Sequence, residues 1–238
     1  MSFDTFKACV DKLPGNVAIH FSGMSEPWLN PECTRMLLYA HEKGFRICVF
    51  TTALGMTLND IELIKGIPFD LFFLHLPNDK GSPGVNIDSD YLTVIKKLSE
   101  SGIKNIRFRV FGKTHPLVTG VLKDGLVKEK SLEPRAGNLY SVPTLKGPII
   151  CKKGLNCNVL LPNGEVILCC EDYGIEHILG NLLHQDYASL SKGQEFAKVK
   201  EALDSNQSGI LCRQCIFAAK RKRDVLKAAL RRIHVIPH

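Results

Sequence analysis

Several classes of protein are excluded by what this 238-residue sequence lacks. No apolar run approaches the length of about 20 residues that a membrane-spanning helix needs, so we expect no membrane span. Met1 leads straight into the amphipathic segment SFDTFKACVDKL instead of an apolar signal segment, and the nine cysteines are an odd number. These features predict a reducing, cytoplasmic location in which the cysteines remain thiols rather than forming disulfides.

Several familiar catalytic motifs are also missing. The sequence contains no phosphate-binding Walker loop, no G-x-S-x-G nucleophile elbow and no H-E-x-x-H zinc-protease motif. Its eight histidines are scattered without the spacing of metal ligands. Phosphate transfer, serine-dependent acyl transfer and zinc proteolysis therefore have no support in the sequence.

The net charge of +7 is concentrated near the C-terminus. Residues 220–232 carry seven lysines and arginines against the single acidic residue Asp224, so the rest of the chain is nearly neutral. Apolar residues recur among them at helical spacing, which predicts a basic C-terminal helix over 217–238 whose charged face lies in solvent. A nucleic-acid surface is the alternative, but no aromatic residues are interleaved with the charges to stack on bases, so we do not expect a nucleic-acid partner.

Before residue 145 the chain alternates between strand-like and helix-like patterns. Strands are predicted over 16–21, 46–52, 70–76 and 105–111, with a further possible strand near 125–133. Helices are predicted over 2–13, 31–43, 57–67 and 89–102, with Ser2 and Thr57 as N-caps of the first and third. Strands separated by helices of about this length are typical of repeated βαβ units, so we expect an α/β fold with a parallel sheet.

Polar segments follow three of these predicted strands. Ser22–Pro27 follows the first, Thr51 and Thr52 end the second, and Pro77–Asp79 follows the third. Ligands of parallel α/β proteins bind where the strands end and the loops begin. Glu26, directly before a proline, suits an extended loop whose carbonyl groups and carboxylate face a ligand amine. Ordinary turns between strand and helix are the alternative interpretation.

Six of the nine cysteines lie at or beyond residue 151. Cys151 precedes a predicted hairpin reading NVLLPNGEVIL, and Cys169 and Cys170 follow it, so the hairpin brings the two ends together. Cys212 and Cys215 form a C-x2-C pair, which lets two thiolates on one turn face the same metal centre. The pattern predicts a four-thiolate site for zinc or iron–sulfur, and spacing alone does not choose between them.

These features together resemble the radical S-adenosylmethionine (SAM) superfamily, in particular its members with the C-terminal auxiliary-cluster extension called SPASM. The stretch IHFSGMSEPWLNPE resembles that family's second strand and its Gly-Gly-Glu-Pro motif, written here as Met24–Pro27. The C-terminal part matches the pattern C-x12-G-x4-C through Cys151, Gly164 and Cys169, and continues to the C-x2-C pair. The resemblance implies a partial (β/α) barrel followed by a small SPASM-like domain of β-hairpin and helix.

The resemblance also implies which residues bind cofactors. The SAM-binding residues would be Gly23, Met24, Ser25, Glu26, Pro27, Thr51, Thr52 and His75, with Arg109, Arg135 and Asn138 as less specific matches. The ligands of one auxiliary [4Fe–4S] cluster would be Cys151, Cys169, Cys212 and Cys215. Cys157 is predicted to be packed, although it is the alternative to Cys151. Cys170 would face away from Cys169 on a strand, so only one of the two is expected to be a ligand.

One departure from the family concerns its defining motif. The superfamily's C-x3-C-x2-C, which holds the SAM-binding cluster, occurs nowhere in these 238 residues; Cys9, Cys33 and Cys48 are isolated in apolar segments and predicted to be buried. The sequence opens on a helix where the family has its first strand, so we expect a barrel that lacks that strand. The domains are predicted as a partial barrel over 1–145, an auxiliary cluster domain over 146–216 and the basic helix.

These observations lead to two hypotheses about function. By resemblance, the complete enzyme would cleave SAM reductively to a 5′-deoxyadenosyl radical and modify a peptide or small-molecule substrate, with electrons from a separate donor. This chain lacks the SAM-cluster motif and is expected to be inactive by itself. The alternative is a non-catalytic four-cysteine iron–sulfur or zinc module, carried on the barrel as a scaffold.

Overall fold

The computed structural model describes residues 1–122, 134–206 and 209–221, together with the backbone of 127–130. The chain divides into two compact units, Met1–Leu132 and Glu133–His238. The second unit begins earlier than the predicted boundary at 145. Arg135 and Asn138 are tied to this unit, because the Arg135 guanidinium donates to the Glu171 carboxylate and the Asn138 side chain donates to the Glu171 carbonyl.

A parallel sheet forms the centre of the first unit. Its strands are β1 (Ala18–Phe21), β2 (Arg46–Thr51), β3 (Leu71–Leu76), β4 (Ile106–Phe111) and β5 (Val127–Lys130). They lie in sequential order, and each pairs in parallel with the next. Sequential parallel strands joined by helical crossovers are the arrangement of a (β/α) barrel wall. The predicted α/β class is confirmed, and the possible strand near 125–133 is present as β5.

One helix of the first unit precedes β1, and the others lie between consecutive strands. The helices are α1 (Phe3–Val10), α2 (Cys33–Glu42), α3 (Leu58–Ile64), α4 (Ser89–Glu100) and the single turn α5 (Pro116–Thr119). Both predicted N-caps are confirmed. The Ser2 hydroxyl accepts from the Thr5 amide at 3.1 Å, and Thr57 forms a reciprocal capping box with Asp60.

The two faces of the sheet differ in burial. Ile47, Val49, Phe72, Leu74 and Phe108 are buried in the core that also contains the apolar faces of the helices. Because side chains alternate along a strand, the intervening residues lie on the other face. That face carries the half-buried residues Phe50, Phe73, His75, Arg109 and Phe111.

The second unit is built from shorter elements. Its strands are β6 (Ile149–Cys151), β7 (Val159–Leu160), β8 (Glu165–Ile167), β9 (Ile178–Asn181) and β10 (Ala218–Lys220), and its helices are α6 (Tyr187–Leu190) and α7 (Gln194–Asp204). Strands β7, β8 and β9 form an antiparallel sheet, and β10 pairs antiparallel with β6. The predicted hairpin is therefore confirmed as β7–β8.

Two predictions for the second unit need correction. The sequence pattern near 187–204 predicts one helix, but the structure has α6 and α7 there, because Gly193 takes an extended conformation and caps α7 instead of continuing a helix. The basic helix expected from residue 217 does not begin there, since Ala218–Lys220 pair with Ile149–Cys151 as strand β10. Residues 222–238, on which the rest of that prediction falls, lie outside the described part of the chain.

Candidate metal centre and strand-end site

Six cysteines of the second unit line one cavity of about 30 Å³. A cavity of roughly 10–15 Å³ is large enough for one water molecule, so the space between the thiols is a genuine void. The cysteines are Cys151, Cys157, Cys169, Cys170, Cys212 and Cys215. The structure thus brings all four predicted ligands to one place, together with the two alternatives that the sequence analysis named.

Three separate elements bring the cysteines to this cavity. Cys151 ends β6 and lies directly opposite Ala218 of β10, which begins shortly after Cys215. Cys212 and Cys215 belong to a 3-10 turn in which the Cys215 amide donates to the Cys212 carbonyl at 3.3 Å. Cys169 follows the hairpin strand β8. The β6–β10 pairing therefore places Cys151 near the C-x2-C turn. Local sequence patterns did not predict this strand pairing.

Electrostatic coupling links several of these cysteines to one another. Burial, together with the charges of Cys215 and Cys151, raises the pKa of Cys212 to about 12. Burial, with smaller contributions from Cys170, Cys212 and Cys215, raises the pKa of Cys169 to about 12. Each of the four predicted ligands is thus coupled to at least one of the others.

Cys170 has a different set of charged neighbours. Burial is the main cause that raises its pKa, and the charges of Glu171 and Cys157 raise it further, whereas Lys153 lowers it. Cys157 and Cys170 are therefore neighbours of each other, and Cys170 is also coupled to Cys169. Both Cys169 and Cys170 line the cavity, so the choice of Cys169 as the ligand stays a prediction.

Several groups around the cavity favour thiolates. The Phe217 amide donates to the Cys215 sulfur at 3.4 Å, and the Glu171 amide lowers the pKa of Cys169 against the effect of burial. The ammonium group of Lys153 lies 3.6 Å from the ring centroid of Phe217 and lowers the pKa of Cys215. Amide donors and a nearby cation are the features that stabilise sulfur bound to a metal or cluster.

The cysteines surround a space instead of converging on a point. Within the described ranges, no three His, Cys, Asp or Glu side chains are close enough to hold a single metal ion. Thiolates of a cubane cluster stand on the outside of an iron–sulfur core, so a void lined by cysteine fits such a core. The donor set, which is soft sulfur in mostly apolar surroundings, is also the one that iron–sulfur clusters take.

The strand-end residues of the first unit are connected through the carboxylate of Glu26. Its Oε2 accepts from the Thr52 amide at 2.7 Å and from the Thr52 hydroxyl at 2.9 Å, while its Oε1 accepts from the Thr51 hydroxyl. Glu26 also caps the 3-10 turn Pro27–Leu29. The structure thus brings Glu26, Thr51 and Thr52 together as predicted, but the carboxylate binds the end of β2 rather than facing outward.

A glycine allows the close packing of this loop. Gly55 has a φ of +82°, and a Cβ added there would lie 2.5 Å from the Trp28 carbonyl oxygen. Tyr91 provides a further connection, since its hydroxyl donates to the Thr52 carbonyl at 3.0 Å. Burial raises the pKa of Tyr91, which keeps that hydroxyl protonated. Sequence patterns did not indicate Tyr91, because its contact spans two different βα units.

The remaining predicted SAM-binding residues fall in two places. His75 and Arg109 are paired neighbours on the half-buried face of the sheet. The His75 ring centroid lies 5.6 Å from that of Phe111, and the Arg109 guanidinium stacks 4.0 Å from the centroid of Phe73. Arg135 and Asn138 lie instead in the second unit, where the Arg135 guanidinium pairs with Glu171.

Comparison with known proteins identifies the C-terminal part. Residues 151–216 match the model of the SPASM family, described as an iron–sulfur cluster-binding domain. A search of the curated proteins finds no match to this chain. In the described part of the chain, no helix is both long enough and apolar enough to cross a membrane.

The fold is similar to those of two proteins of known structure. BtrN in complex with AdoMet and 2-DOIA matches with a TM-score of 0.59 at 15% identity, over 87% of this chain and 75% of BtrN. An open conformation of BtrN matches with a TM-score of 0.54 at 15% identity, over 91% of this chain and 80% of BtrN. Streptococcus suis SuiB bound to precursor peptide SuiA matches with a TM-score of 0.59 at 12% identity, over 94% of this chain and 66% of SuiB.

These matches confirm the predicted fold. The sequential parallel sheet of the first unit corresponds to a partial barrel of the radical SAM type. The six-cysteine cavity lies within the range that matches the cluster-binding family, apart from its two lining residues Phe217 and Ala218. The chain therefore has a fold similar to those of BtrN and SuiB, and its residues 151–216 match the SPASM family of iron–sulfur cluster-binding domains.

Proposed function

We propose that this protein binds one auxiliary [4Fe–4S] cluster through Cys151, Cys169, Cys212 and Cys215. The observation that carries the proposal is that these four cysteines, which come from three separate elements, line one cavity. When bound, such a cluster supplies one-electron redox chemistry or a site for substrate. The match to an iron–sulfur domain favours this over the zinc-binding alternative.

Iron and sulfide analysis after anaerobic reconstitution tests this ligand set. We expect about four irons and four sulfides per chain and a brown protein, because a [4Fe–4S] core has that composition. Cys212→Ala should lose the cluster, whereas Cys157→Ala should retain it. Stoichiometric zinc without sulfide would overturn the proposal, and equal loss in both variants would overturn the ligand assignment.

We further propose that the strand-end loop of the first unit is the SAM-binding region. Glu26 positions this loop by binding the end of β2, and the carbonyl groups of Gly23, Met24 and Ser25 are assigned as acceptors for the methionyl amine. Pro27 directs the chain into the following turn. Thr51, Thr52, His75 and Arg109 are assigned to the same region because they lie at or near the ends of β2, β3 and β4.

These 238 residues are proposed not to cleave SAM by themselves. Reductive cleavage requires an iron with an open coordination position, which three cysteines of C-x3-C-x2-C provide in the superfamily. Here Cys9, Cys33 and Cys48 are buried separately on α1, α2 and β2, and burial raises the pKa of Cys33 to about 12. Four thiolates at the auxiliary site would leave no open iron.

Product analysis tests this part of the proposal. Reconstituted protein incubated with SAM and dithionite should release no 5′-deoxyadenosine above a protein-free control. Equilibrium binding of SAM to the same preparation separates loss of cleavage from loss of binding, since we expect weak binding that Glu26→Gln weakens further. Repeated turnover to 5′-deoxyadenosine would show that a reactive cluster is held by other cysteines.

The substrate class is proposed from the two solved structures and the half-buried face of the sheet. BtrN was solved with the small molecule 2-DOIA and SuiB with a precursor peptide, so both classes are candidates here. The rings of Phe50, Phe73 and Phe111 beside Arg109 provide apolar and cationic contacts for either. An external electron donor is proposed as the protein partner because the cluster must be reduced to act.

A further inference from the structure

Glu171 is an unusual residue in the second unit because its carboxylate is buried. The residue is 2% exposed, follows directly after Cys169 and Cys170, and lines the six-cysteine cavity. Its Oε1 pairs with the Arg135 guanidinium at 3.4 Å, whereas its Oε2 has no hydrogen-bond partner among the described residues. A buried charge that is only partly paired is costly, so its retention at a cavity wall indicates a role there.

The charge of Glu171 reaches the thiols of the cavity. Glu171 lines the same cavity as Cys170 and Cys215. The Cys170 sulfur also lies 4.0 Å from Glu171 Oε1. A buried carboxylate on the wall of the cavity disfavours added negative charge on anything bound inside it.

Arg135 opposes this effect from a partly exposed position. Its side chain is 38% exposed, against 3% for Glu171, and its charge lowers the pKa of Cys170. The guanidinium lies 5.8 Å from the ring centroid of Tyr173, and Asn138 donates to the Arg135 carbonyl at 2.7 Å. These contacts fix the cation beside the carboxylate in the segment directly before the cluster domain.

We infer that Glu171 and Arg135 form an opposed pair of charges that sets the reduction potential of the auxiliary cluster. The inference rests on the proposed cluster site. One-electron reduction, with dithionite as the donor, adds one negative charge within the cavity. The buried Glu171 carboxylate disfavours that charge and lowers the potential, whereas Arg135 favours it and raises the potential.

Redox titration of the reconstituted protein, monitored by electron paramagnetic resonance, tests this inference. Glu171→Gln keeps the size of the side chain and removes its charge, so the midpoint potential should shift to a more positive value. Arg135→Gln should shift it to a more negative value. The control is Glu176→Gln, since Glu176 has the same charge but is exposed and does not line the cysteine cavity, and its removal should leave the potential nearly unchanged.

The outcomes separate this inference from the proposed function. If the wild-type protein takes up no iron and sulfide, the proposed function fails and this inference fails with it. If the cluster is intact but Glu171→Gln leaves the potential unchanged or lowers it, only the inference is overturned. If Glu171→Gln loses the cluster, the Arg135→Gln variant provides the test, because Arg135 is partly exposed. Any result other than a negative shift of the midpoint potential in Arg135→Gln then overturns the inference.

Discussion

The two units of this protein bury different kinds of polar residues. In the first unit the buried polar side chains are uncharged, namely Thr34, Thr51 and Asn78, whereas in the second they are the charged Glu171, Asp172 and Arg213. The first unit also has a large apolar core between its sheet and helices. The second has strands of two to four residues, too short to bury much apolar surface. Its fold therefore depends on specific charged contacts and, we propose, on the bound cluster.

Removing the cluster should have the largest effect and should affect the two units unequally. Ligation contributes directly to folding where a small region has little core, so the second unit should lose most of its protection against amide hydrogen exchange. The first unit should keep its protection because its core is independent of the cluster. Hydrogen exchange with mass spectrometry, before and after iron chelation, measures both. Equal loss in the two units would contradict the comparison.

Replacing Arg213 should have the next largest effect, which is a loss of stability in the second unit. The guanidinium is 1% exposed and donates to the carbonyl groups of Leu145, Gly147 and Ala202, each at 2.9 Å. Arg213→Met leaves these buried acceptors without donors, so the second unit should lose at least about 3 kcal/mol of unfolding free energy. Urea denaturation followed by cluster absorbance measures the loss.

The matched control for that variant is Arg221→Met. Arg221 pairs with Asp204 on the surface, where its side chain is 42% exposed. Surface ion pairs contribute about 1 kcal/mol or less, so this variant should unfold near the wild-type midpoint. If Arg213→Met and Arg221→Met lower the free energy of unfolding by the same amount, the second unit does not depend on its buried charge.

In the first unit, Glu26→Gln should have an intermediate effect. The substitution places an amide near the Thr51 and Thr52 donors that the carboxylate now accepts from. Hydrogen bonds to charged groups are worth roughly 1.5–3 kcal/mol, so we expect a loss of about 2 kcal/mol. Fluorescence of Trp28, the single tryptophan, follows the loss during denaturation. Glu62→Gln, at an exposed surface pair, is the control and should cost less.

The smallest expected effect concerns acid stability at Asp11. Hydrogen bonds from Lys7 and Tyr39, together with Lys43, hold the pKa of Asp11 well below its usual range. A depressed pKa in the folded state stabilises the protein above the ordinary pKa, and this contribution disappears as the pH falls through the folded value. Asp11→Asn should therefore lower the melting temperature slightly at neutral pH. The difference from wild type should shrink as the pH falls toward the folded pKa of Asp11; a difference that grows in acid would contradict this.

Local patterns predicted much of the first unit and less of the second. The strands, the helices and the caps Ser2 and Thr57 follow from periodicity and side-chain chemistry within short windows. The four-cysteine set followed from spacing and from the hairpin. Each of these signals is local, so each could be read from the sequence.

What the sequence could not reveal depends on contacts between distant segments. The β6–β10 pairing overrode the helical periodicity expected from residue 217, because strand pairing is decided by the partner strand. Arg213 gave no signal, since an arginine within a C-x2-C turn is usually exposed. Arg135 pairs with Glu171, which is distant from it in the sequence. The residues adjacent to Arg135 in the sequence therefore gave no means of testing its predicted role in SAM binding.

The joining of β6 to β10 has a consequence for the chain's entropy. Cys151 and Cys215 lie on or beside paired strands, so a cluster bonded to them and to Cys169 and Cys212 would cross-link the whole segment between these strands. Such a cross-link restricts the unfolded chain as a disulfide does, and the restriction increases with the length of the enclosed loop. Within a reducing compartment, where disulfides do not persist, a cluster at this position gives a small domain the same kind of covalent closure.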